Sequence, residues 1–275
     1  MANAIIERSI HLDGIEIFVR EVKGPGVPSV FVHGNPSSST DWVPFLERVE
    51  SPAIAFDLPG FGRSARPVPH RFDHTLAAYA NFTERILDEL VPGRYRLVVH
   101  DWGGLALIPA QRHPSRVERL VIMNAVPLLA GYRWHWIARI WRRRGLGELF
   151  NATTTRAALA LTLRQARSGY RPMPPEFVDS IWEHWDAGTR RAILALYRSA
   201  DPHVLAAYGS RLGQIGCPAL VLWGRDDPYL PERFGIAYAE ALPGATYAGV
   251  DGASHWPWID RPELVERVAS FLAGR

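Results

Sequence analysis

The 275-residue chain has a single cysteine, a net charge of only +3 and no apolar run that approaches the roughly 20 residues needed to cross a bilayer. One cysteine excludes a disulfide framework, and the position of Cys217 beside Pro218, ahead of an apolar run, predicts a buried structural thiol. The small net charge gives no argument for nucleic acid as a partner. Residues 1–8 lack a basic region followed by a long apolar stretch. We therefore expect a cytoplasmic protein with neither a nucleic-acid nor a membrane partner, and the oligomeric state stays open.

Short β-rich runs alternate with helical patterns along most of the chain. Residues 5–12 and 15–21 flank Asp13-Gly14 and predict an antiparallel hairpin. Six further runs predict buried strands, at 29–32, 53–56, 96–99, 120–123, 219–223 and 246–250. This alternation is typical of an α/β fold, with an eight-stranded, mostly parallel sheet and helices on both faces.

One long stretch interrupts the alternation. Residues 128–212 contain helical patterns rich in Trp, Arg and Ala but no convincing strand. We expect a helical cap there, inserted after the sixth strand into a core formed by residues 1–127 and 213–275. Such a cap would close a site at the carboxyl ends of the strands.

The most informative motif surrounds Asp101. Residues 96–105 comprise a β-branched run, His100-Asp101-Trp102, two glycines and then a helical pattern, which is typical of a strand that turns sharply into a helix. The turn exposes its central side chain to substrate, and the following helix end favours an anion. A carboxylate at this position is already ionised at neutral pH and can act as a nucleophile without a base.

The nucleophile restricts the electrophile. Carboxylate attack on an acyl carbon would give a reactive anhydride, whereas attack on a saturated carbon gives an ordinary ester. Halides and strained epoxide oxygens are suitable leaving groups. Hydrolysis of the ester then requires a histidine base, an acid to orient it and donors for the oxyanion.

Three motifs together resemble the α/β-hydrolase fold over essentially the whole chain. They are the turn at Asp101, the His33-Gly34-Asn35-Pro36 turn after an early strand, and the segment 57–64 after the next. The carboxylate at the turn resembles the haloalkane dehalogenase and epoxide hydrolase branches. These families need neither metal nor organic cofactor, so none is expected.

The resemblance implies a base and an acid late in the chain. His255 follows the last strand in a Gly-rich loop, which lets its ring reach back over the sheet. The acid is expected at Asp227, three residues beyond the strand-ending Gly224, with the neighbouring Asp226 as the rival. Some dehalogenases carry a glutamate after the sixth strand instead, but Asn124 occupies that neighbourhood here.

Two residues are expected to hold the oxyanion and the leaving group. The backbone N–H groups of Trp102 and Asn35 are the expected oxyanion donors. In haloalkane dehalogenases, the side chains at these positions donate to the departing halide. Asn35 favours that branch, since epoxide hydrolases commonly carry an aromatic residue there; a plain turn-capping role for Asn35 is the alternative.

The predicted cap contributes further candidates. Tyr197 resembles the cap tyrosine that protonates an epoxide oxygen, and His135-Trp136 resembles the halide-contacting pair of fluoroacetate dehalogenases. The arginines that grip a carboxylate in those enzymes are replaced by Leu105 and Ile108, which argues against a haloacid substrate. Plain packing remains the alternative for all three cap residues.

The cap also contains a concentrated basic stretch at residues 139–144. We expect it on a helix with an apolar stripe formed by Trp134, Ile137, Ala138 and Trp141. The simplest interpretation is a lid helix with its arginines in water. Contact with a membrane surface or a protein partner is the alternative.

The leading hypothesis is hydrolysis of a carbon–halogen bond in a small apolar organic substrate. Epoxide opening to a diol, with Tyr197 as acid, is the second. A non-catalytic binding protein built on the same fold is the third, and it predicts ligand binding without turnover.

Overall fold

Eight runs of apolar residues form the strands of one sheet in the computed structural model, which describes residues 3–275; Met1 and Ala2 of the N-terminal segment lie outside it. The strands are β1 (Ile6–Leu12), β2 (Ile15–Val22), β3 (Ser29–Val32), β4 (Ala53–Phe56), β5 (Tyr95–Asp101), β6 (Val117–Ala125), β7 (Ala219–Gly224) and β8 (Ala245–Val250). All eight predicted strands are present, with ends that differ by three residues at most.

The sheet order is β1-β2-β4-β3-β5-β6-β7-β8. β2 runs antiparallel to both of its neighbours, while every other adjacent pair is parallel. β3, β4 and β7 are buried along their whole length, as expected for strands covered on both faces. The predicted fold class, α/β with an eight-stranded, mostly parallel sheet, is confirmed.

Twelve α-helices within residues 3–275 connect and cover the strands. They are α1 (Val43–Leu46), α2 (Leu76–Leu90), α3 (Leu107–Arg112), α4 (Trp136–Trp141), α5 (Leu146–Thr153), α6 (Arg156–Leu163), α7 (Pro175–Trp182), α8 (Ala187–Ser199), α9 (Pro202–Tyr208), α10 (Arg233–Ala241), α11 (Pro257–Asp260) and α12 (Glu263–Ala273). No helix of residues 3–275 is long and apolar enough to cross a membrane.

The elements between β6 and β7 are all helical, and α4 to α9 lie there. The predicted cap, residues 128–212, falls within this stretch. Its basic helix differs from the prediction, because α4 begins at Trp136, after His135 accepts the Ala138 N–H as its cap, and ends at Trp141. Trp134 therefore precedes the helix and Arg142 to Arg144 follow it, although the four residues of the predicted apolar stripe are all buried.

Cys217 is only half-buried, in contrast to the predicted full burial. It lies in the turn before β7, two residues ahead of the first buried residue of that strand. Partial burial still raises the pKa of its thiol to about 11, which keeps the sulfur protonated at neutral pH.

The turn after β5 depends on a very close approach between two backbones. A Cβ atom at Gly103 would lie 2.0 Å from the carbonyl oxygen of Val32, the last residue of β3. Only glycine lets the chain pass so near the neighbouring strand and hold Asp101 at the sheet edge.

Gly103→Ala should therefore destabilise the protein by about 3 kcal/mol, because either the turn or β3 must shift. Gly93→Ala is the matched control, since a Cβ there meets nothing within 4 Å. Urea unfolding of both variants measures the difference. Equal stability of the two variants would contradict this account of the turn.

Candidate active site

Asp101 is the last residue of β5 and adopts φ 47° and ψ −121°, a conformation that costs energy for any residue other than glycine. A Cβ on Gly34 would lie 2.3 Å from the Asp101 Cβ, so the His33-Gly34-Asn35-Pro36 turn passes directly against this side chain. Strain of this kind is common at functional positions, where the surrounding structure enforces it.

The carboxylate of Asp101 is buried and held on one side by backbone donors. The Asn35 N–H donates to Oδ1 at 2.7 Å, and the adjacent Trp102 N–H also favours the charged form of the carboxylate. Burial raises the pKa of Asp101, while the His255 charge and the two N–H groups oppose that rise. The two expected oxyanion donors thus meet at this carboxylate.

His255 lies beside the second oxygen of Asp101. Its Nε2 atom is 3.7 Å from Oδ2, and its Nδ1–H donates to Asp227 Oδ2 at 2.8 Å. The buried His100 donates from Nε2 to the His255 carbonyl oxygen at 2.8 Å, which fixes the backbone of the loop. Burial by itself lowers the pKa of His255, but the Asp227 charge and hydrogen bond, together with Asp101, raise it above its usual value.

Asp227, and not its neighbour Asp226, contacts the imidazole. Oδ1 of Asp227 accepts the N–H groups of Tyr229 and Leu230 at 2.8 and 3.0 Å, and its Oδ2 also accepts Asn124 Nδ2 at 2.7 Å. Asp226 is exposed and bonds to the Ser168 hydroxyl. These donors hold the Asp227 carboxylate in an orientation in which Oδ2 also accepts the hydrogen bond from His255.

A cavity of about 200 Å³ lies between these core residues and the helices of the insertion. Asp101 and His255 form part of its floor. The residues that line it are mostly apolar or aromatic: Asn35, Pro36, Asp101, Val126, Tyr132, Trp134, His135, Ile137, Trp141, Phe150, Thr153, Thr154, Ala158, Leu159, Thr162, Leu163, Trp185, Tyr197, Tyr229, Leu230, His255 and Trp256. A small apolar ligand fits such a lining.

Hydrogen-bond donors gather on one side of this cavity. Asn35 Nδ2 donates to the Tyr197 hydroxyl oxygen at 3.3 Å, so the phenol O–H remains available. Trp102 is buried one layer behind, packed against the rings of Trp134 and Tyr197 at centroid distances of 5.6 and 5.0 Å. Its indole N–H has no hydrogen-bond partner within residues 3–275. Burial and the Asp101 charge raise the pKa of Tyr197, which keeps the phenol neutral.

The two other predicted cap residues lie in different environments. His135 lines the cavity, and burial lowers its pKa to about 3, so its imidazole is neutral. Trp136 does not line the cavity: it is 45% exposed, and its indole N–H donates to Gln165 Oε1. The halide contact predicted for Trp136 is therefore not formed, because the start of α4 turns this side chain to the surface.

Sequence reasoning missed a buried acid close to the site. Asp41 is 5% exposed and accepts the Trp256 indole N–H at 3.2 Å, beside His255. Burial raises its pKa to about 7, against the effect of the Ser37 and Trp256 hydrogen bonds and the His255 charge. The sequence feature that could have indicated Asp41 is its position as the one acidic residue in the polar loop after the His33-Gly34-Asn35-Pro36 turn.

The family model described as "Alpha/beta hydrolase family" matches residues 30–268, which is most of the chain. The chain belongs to the alpha/beta hydrolase family. Within the part of this hydrolase that the structure describes, no group of three or more His, Cys, Asp or Glu residues could hold a metal ion.

Relatives of this hydrolase are named for different activities. It is 27% identical to a 2-hydroxymuconate semialdehyde hydrolase of Pseudomonas putida, over 91% of this chain and 89% of the relative. It is 29% identical to a cis-3-alkyl-4-alkyloxetan-2-one decarboxylase of Xanthomonas campestris pv. campestris, over 93% and 91%.

Solved haloalkane dehalogenases have the same fold. DbeA from Bradyrhizobium elkani aligns with a TM-score of 0.84 at 24% identity, covering 98% of both chains. DatA from Agrobacterium tumefaciens aligns with a TM-score of 0.85 at 22% identity, covering 98% of this hydrolase and 97% of that chain. At such identities the likeness establishes the fold alone.

Asp227→Asn should lower the pKa of His255, because the negative charge that raises it is removed. The imidazole would then stay neutral to lower pH than in the parent protein. Asp226→Asn is the matched control and should leave the pKa of His255 unchanged, since its carboxylate faces Ser168. NMR titration of the imidazole protons measures both, and an equal shift in the two variants would contradict the assignment of Asp227.

Proposed function

We propose that this hydrolase cleaves a carbon–halogen bond in a small apolar substrate through an Asp101 ester. In the first step, one Asp101 carboxylate oxygen attacks the saturated carbon and the halide leaves with the bonding electron pair. In the second, His255 removes a proton from water, and the hydroxide adds to the carbonyl carbon of the ester. Collapse of the tetrahedral intermediate expels an alkoxide, which takes the proton from His255 and leaves as the alcohol. The Asp101 carboxyl group then loses its proton to water and is a carboxylate again.

The hydrogen-bond donors close to Asp101 are the observation that supports the first step. The Asn35 amide and Tyr197 hydroxyl line the cavity, and the buried Trp102 N–H lies close behind without a partner. An unmet donor such as the Trp102 N–H is costly in an apolar interior, and a nearby anion would supply the missing acceptor. A halide leaves without a proton, so donors that stay protonated are sufficient to stabilise it.

The surroundings of Asp101 support the second step. The Asn35 N–H already bonds to the carboxylate and the Trp102 N–H favours its charge, so both can donate to the oxyanion that forms on the ester carbonyl. His255, with its Nδ1–H held by Asp227, presents Nε2 to the space beside Oδ2. Because the pKa of His255 is raised, hydrolysis should be lost as the pH falls through that value.

A carboxylate at position 101 argues against acyl transfer as the reaction of this hydrolase. Attack of Asp101 on a carbonyl carbon would give an anhydride, whereas attack on a saturated carbon gives a stable ester. The cavity wall agrees with an apolar substrate, since the hydroxyls of Thr153, Thr154 and Thr162 bond back to their own helices and leave their methyl groups free.

His255→Gln should trap the ester, because the base is lost while Asp101 keeps its nucleophilic oxygen. We expect intact mass to show one alkyl group added without halogen, with ester hydrolysis slowed on the order of 10²–10⁴-fold. His70→Gln, at an exposed position, is the matched control and should show no adduct.

The substrate panel contains haloalkanes, epoxides and a cis-dialkyl oxetan-2-one, the last because of the Xanthomonas relative. An adduct that retains the full mass of an epoxide would show that Asp101 opens epoxides, and the proposed reaction would then be ring opening in place of dehalogenation. The absence of any adduct from every compound would refute the Asp101 ester itself.

Epoxide opening is the second candidate, and the Tyr197 hydroxyl favours it. Its oxygen accepts from Asn35, which leaves its proton for an oxygen that departs as an alkoxide. Tyr197→Phe separates the two reactions. Halide release should fall only about tenfold, from the loss of one hydrogen bond, whereas diol formation should fall on the order of 10²–10⁴-fold. Steady-state assays of both products measure the ratio.

A further inference from the structure

The first half of the helical insertion has a large excess of positive charge. Residues 128–175 contain nine arginines and a single acidic residue, Glu148. Because the whole chain has a net charge of only +3, the rest of it is net acidic. The basic charge is thus concentrated on one part of the molecule.

Five of these arginines are exposed and form no salt bridge with any residue of the described chain. They are Arg133, Arg139, Arg143, Arg144 and Arg164. The remaining four pair with Asp201, Asp179 or Asp260. Glu148 is bound by Arg198 and so does not neutralise the free arginines. The unpaired set therefore presents uncompensated charge to whatever lies outside.

Large apolar side chains are exposed among the same arginines. Trp136, Arg139 and Arg143 follow one another at spacings of three and four, which places them along one side of α4 and the turn after it. On α5 and α6, Leu149 is 60% exposed and Leu161 is 68% exposed. A surface that combines arginine, tryptophan and leucine is typical of segments that bind at a membrane interface.

The exposed leucines flank the mouth of the active-site cavity. Thr153 and Ala158 line the cavity and are also exposed, so the cavity opens between α5 and α6. Thr153 lies one helical turn beyond Leu149, and Ala158 lies one turn before Leu161. Each leucine is therefore next to an exposed residue of the cavity wall.

We propose that this face, defined by Trp136, Arg139, Arg143, Arg144, Leu149 and Leu161, docks on the surface of an anionic lipid bilayer with the cavity mouth towards the lipid. The arginines attract anionic headgroups, and the leucines enter the interface between headgroups and acyl chains. An apolar substrate dissolved in the bilayer then reaches Asp101 without crossing water. This delivery role rests on the proposed function, whereas docking does not.

Charge and composition favour lipid over other occupants. A second copy of the chain would bring two strongly basic faces together, which repel each other. Nucleic acid or an acidic peptide would bind the arginines but would leave the exposed Leu149 and Leu161 without an apolar contact.

The test is sedimentation of the full chain with vesicles of phosphatidylcholine, alone or mixed with phosphatidylglycerol. We expect binding to the mixed vesicles only, weakened by salt. Leu149→Ser with Leu161→Ser should reduce the partition coefficient roughly 100-fold. Arg139→Gln, Arg143→Gln and Arg144→Gln together should cause a loss of similar size.

Two matched controls use exposed residues remote from the insertion in sequence. Val68→Ser with Ile236→Ser also replaces two exposed aliphatic residues, and Arg48→Gln with Arg71→Gln and Arg267→Gln removes the same charge. Both should bind vesicles like the parent chain. Circular dichroism melts establish that all four variants remain folded.

Three results would overturn the proposal. The first is that the full chain does not bind the mixed vesicles, and the second is that the control and test variants lose binding equally. The third is that polyglutamate or duplex DNA displaces the chain from the vesicles while the Leu149→Ser, Leu161→Ser pair has no effect on vesicle binding. Turnover of a water-dissolved substrate is measured separately. Failure of docking therefore leaves the proposed reaction intact, and failure of the reaction leaves docking intact.

Discussion

The structure depends on the contact between the turn at Asp101 and the neighbouring His33-Gly34-Asn35-Pro36 turn. Gly34 and Gly103 leave no room for a side chain, so the two turns lie close enough for the Asn35 N–H to bond Asp101 Oδ1. This contact imposes the unfavourable φ of Asp101 and directs the carboxylate into the cavity. Without it, the carboxylate would have no fixed direction relative to His255.

Burial of charge gives the site its chemical character. Three carboxylates, at Asp41, Asp101 and Asp227, lie around one imidazole in a largely apolar interior. Asp227 is satisfied by three donors besides His255, whereas Asp41 accepts the Trp256 indole and has a pKa near neutrality because of burial. The acids therefore differ in their environments, and Asp227 is the one that accepts a hydrogen bond from the His255 imidazole, while Asp101 lies 3.7 Å away.

The helical insertion has two different surfaces. Its inner side supplies aromatic rings and the Tyr197 hydroxyl to the cavity, while its outer side carries unpaired arginines and exposed leucines. Packing against the core explains the inner residues. It does not account for the outer ones, where exposed leucines lie on the same helical insertion as arginines without a carboxylate partner in residues 3–275.

The sequence by itself determined the eight strands and the turn at Asp101, because each depends on local patterns such as β-branched runs and glycines at a tight turn. His255 came from the resemblance to a known family, which has a histidine after the last strand. The sequence left Asp226 and Asp227 as rivals, and only the tertiary structure separated them, by directing Asp227 to His255 and Asp226 to Ser168. The burial of Asp41 and the outward position of Trp136 also needed the fold. Which face of a short helix packs inward is decided by neighbours distant in the chain, and a local pattern does not contain that information.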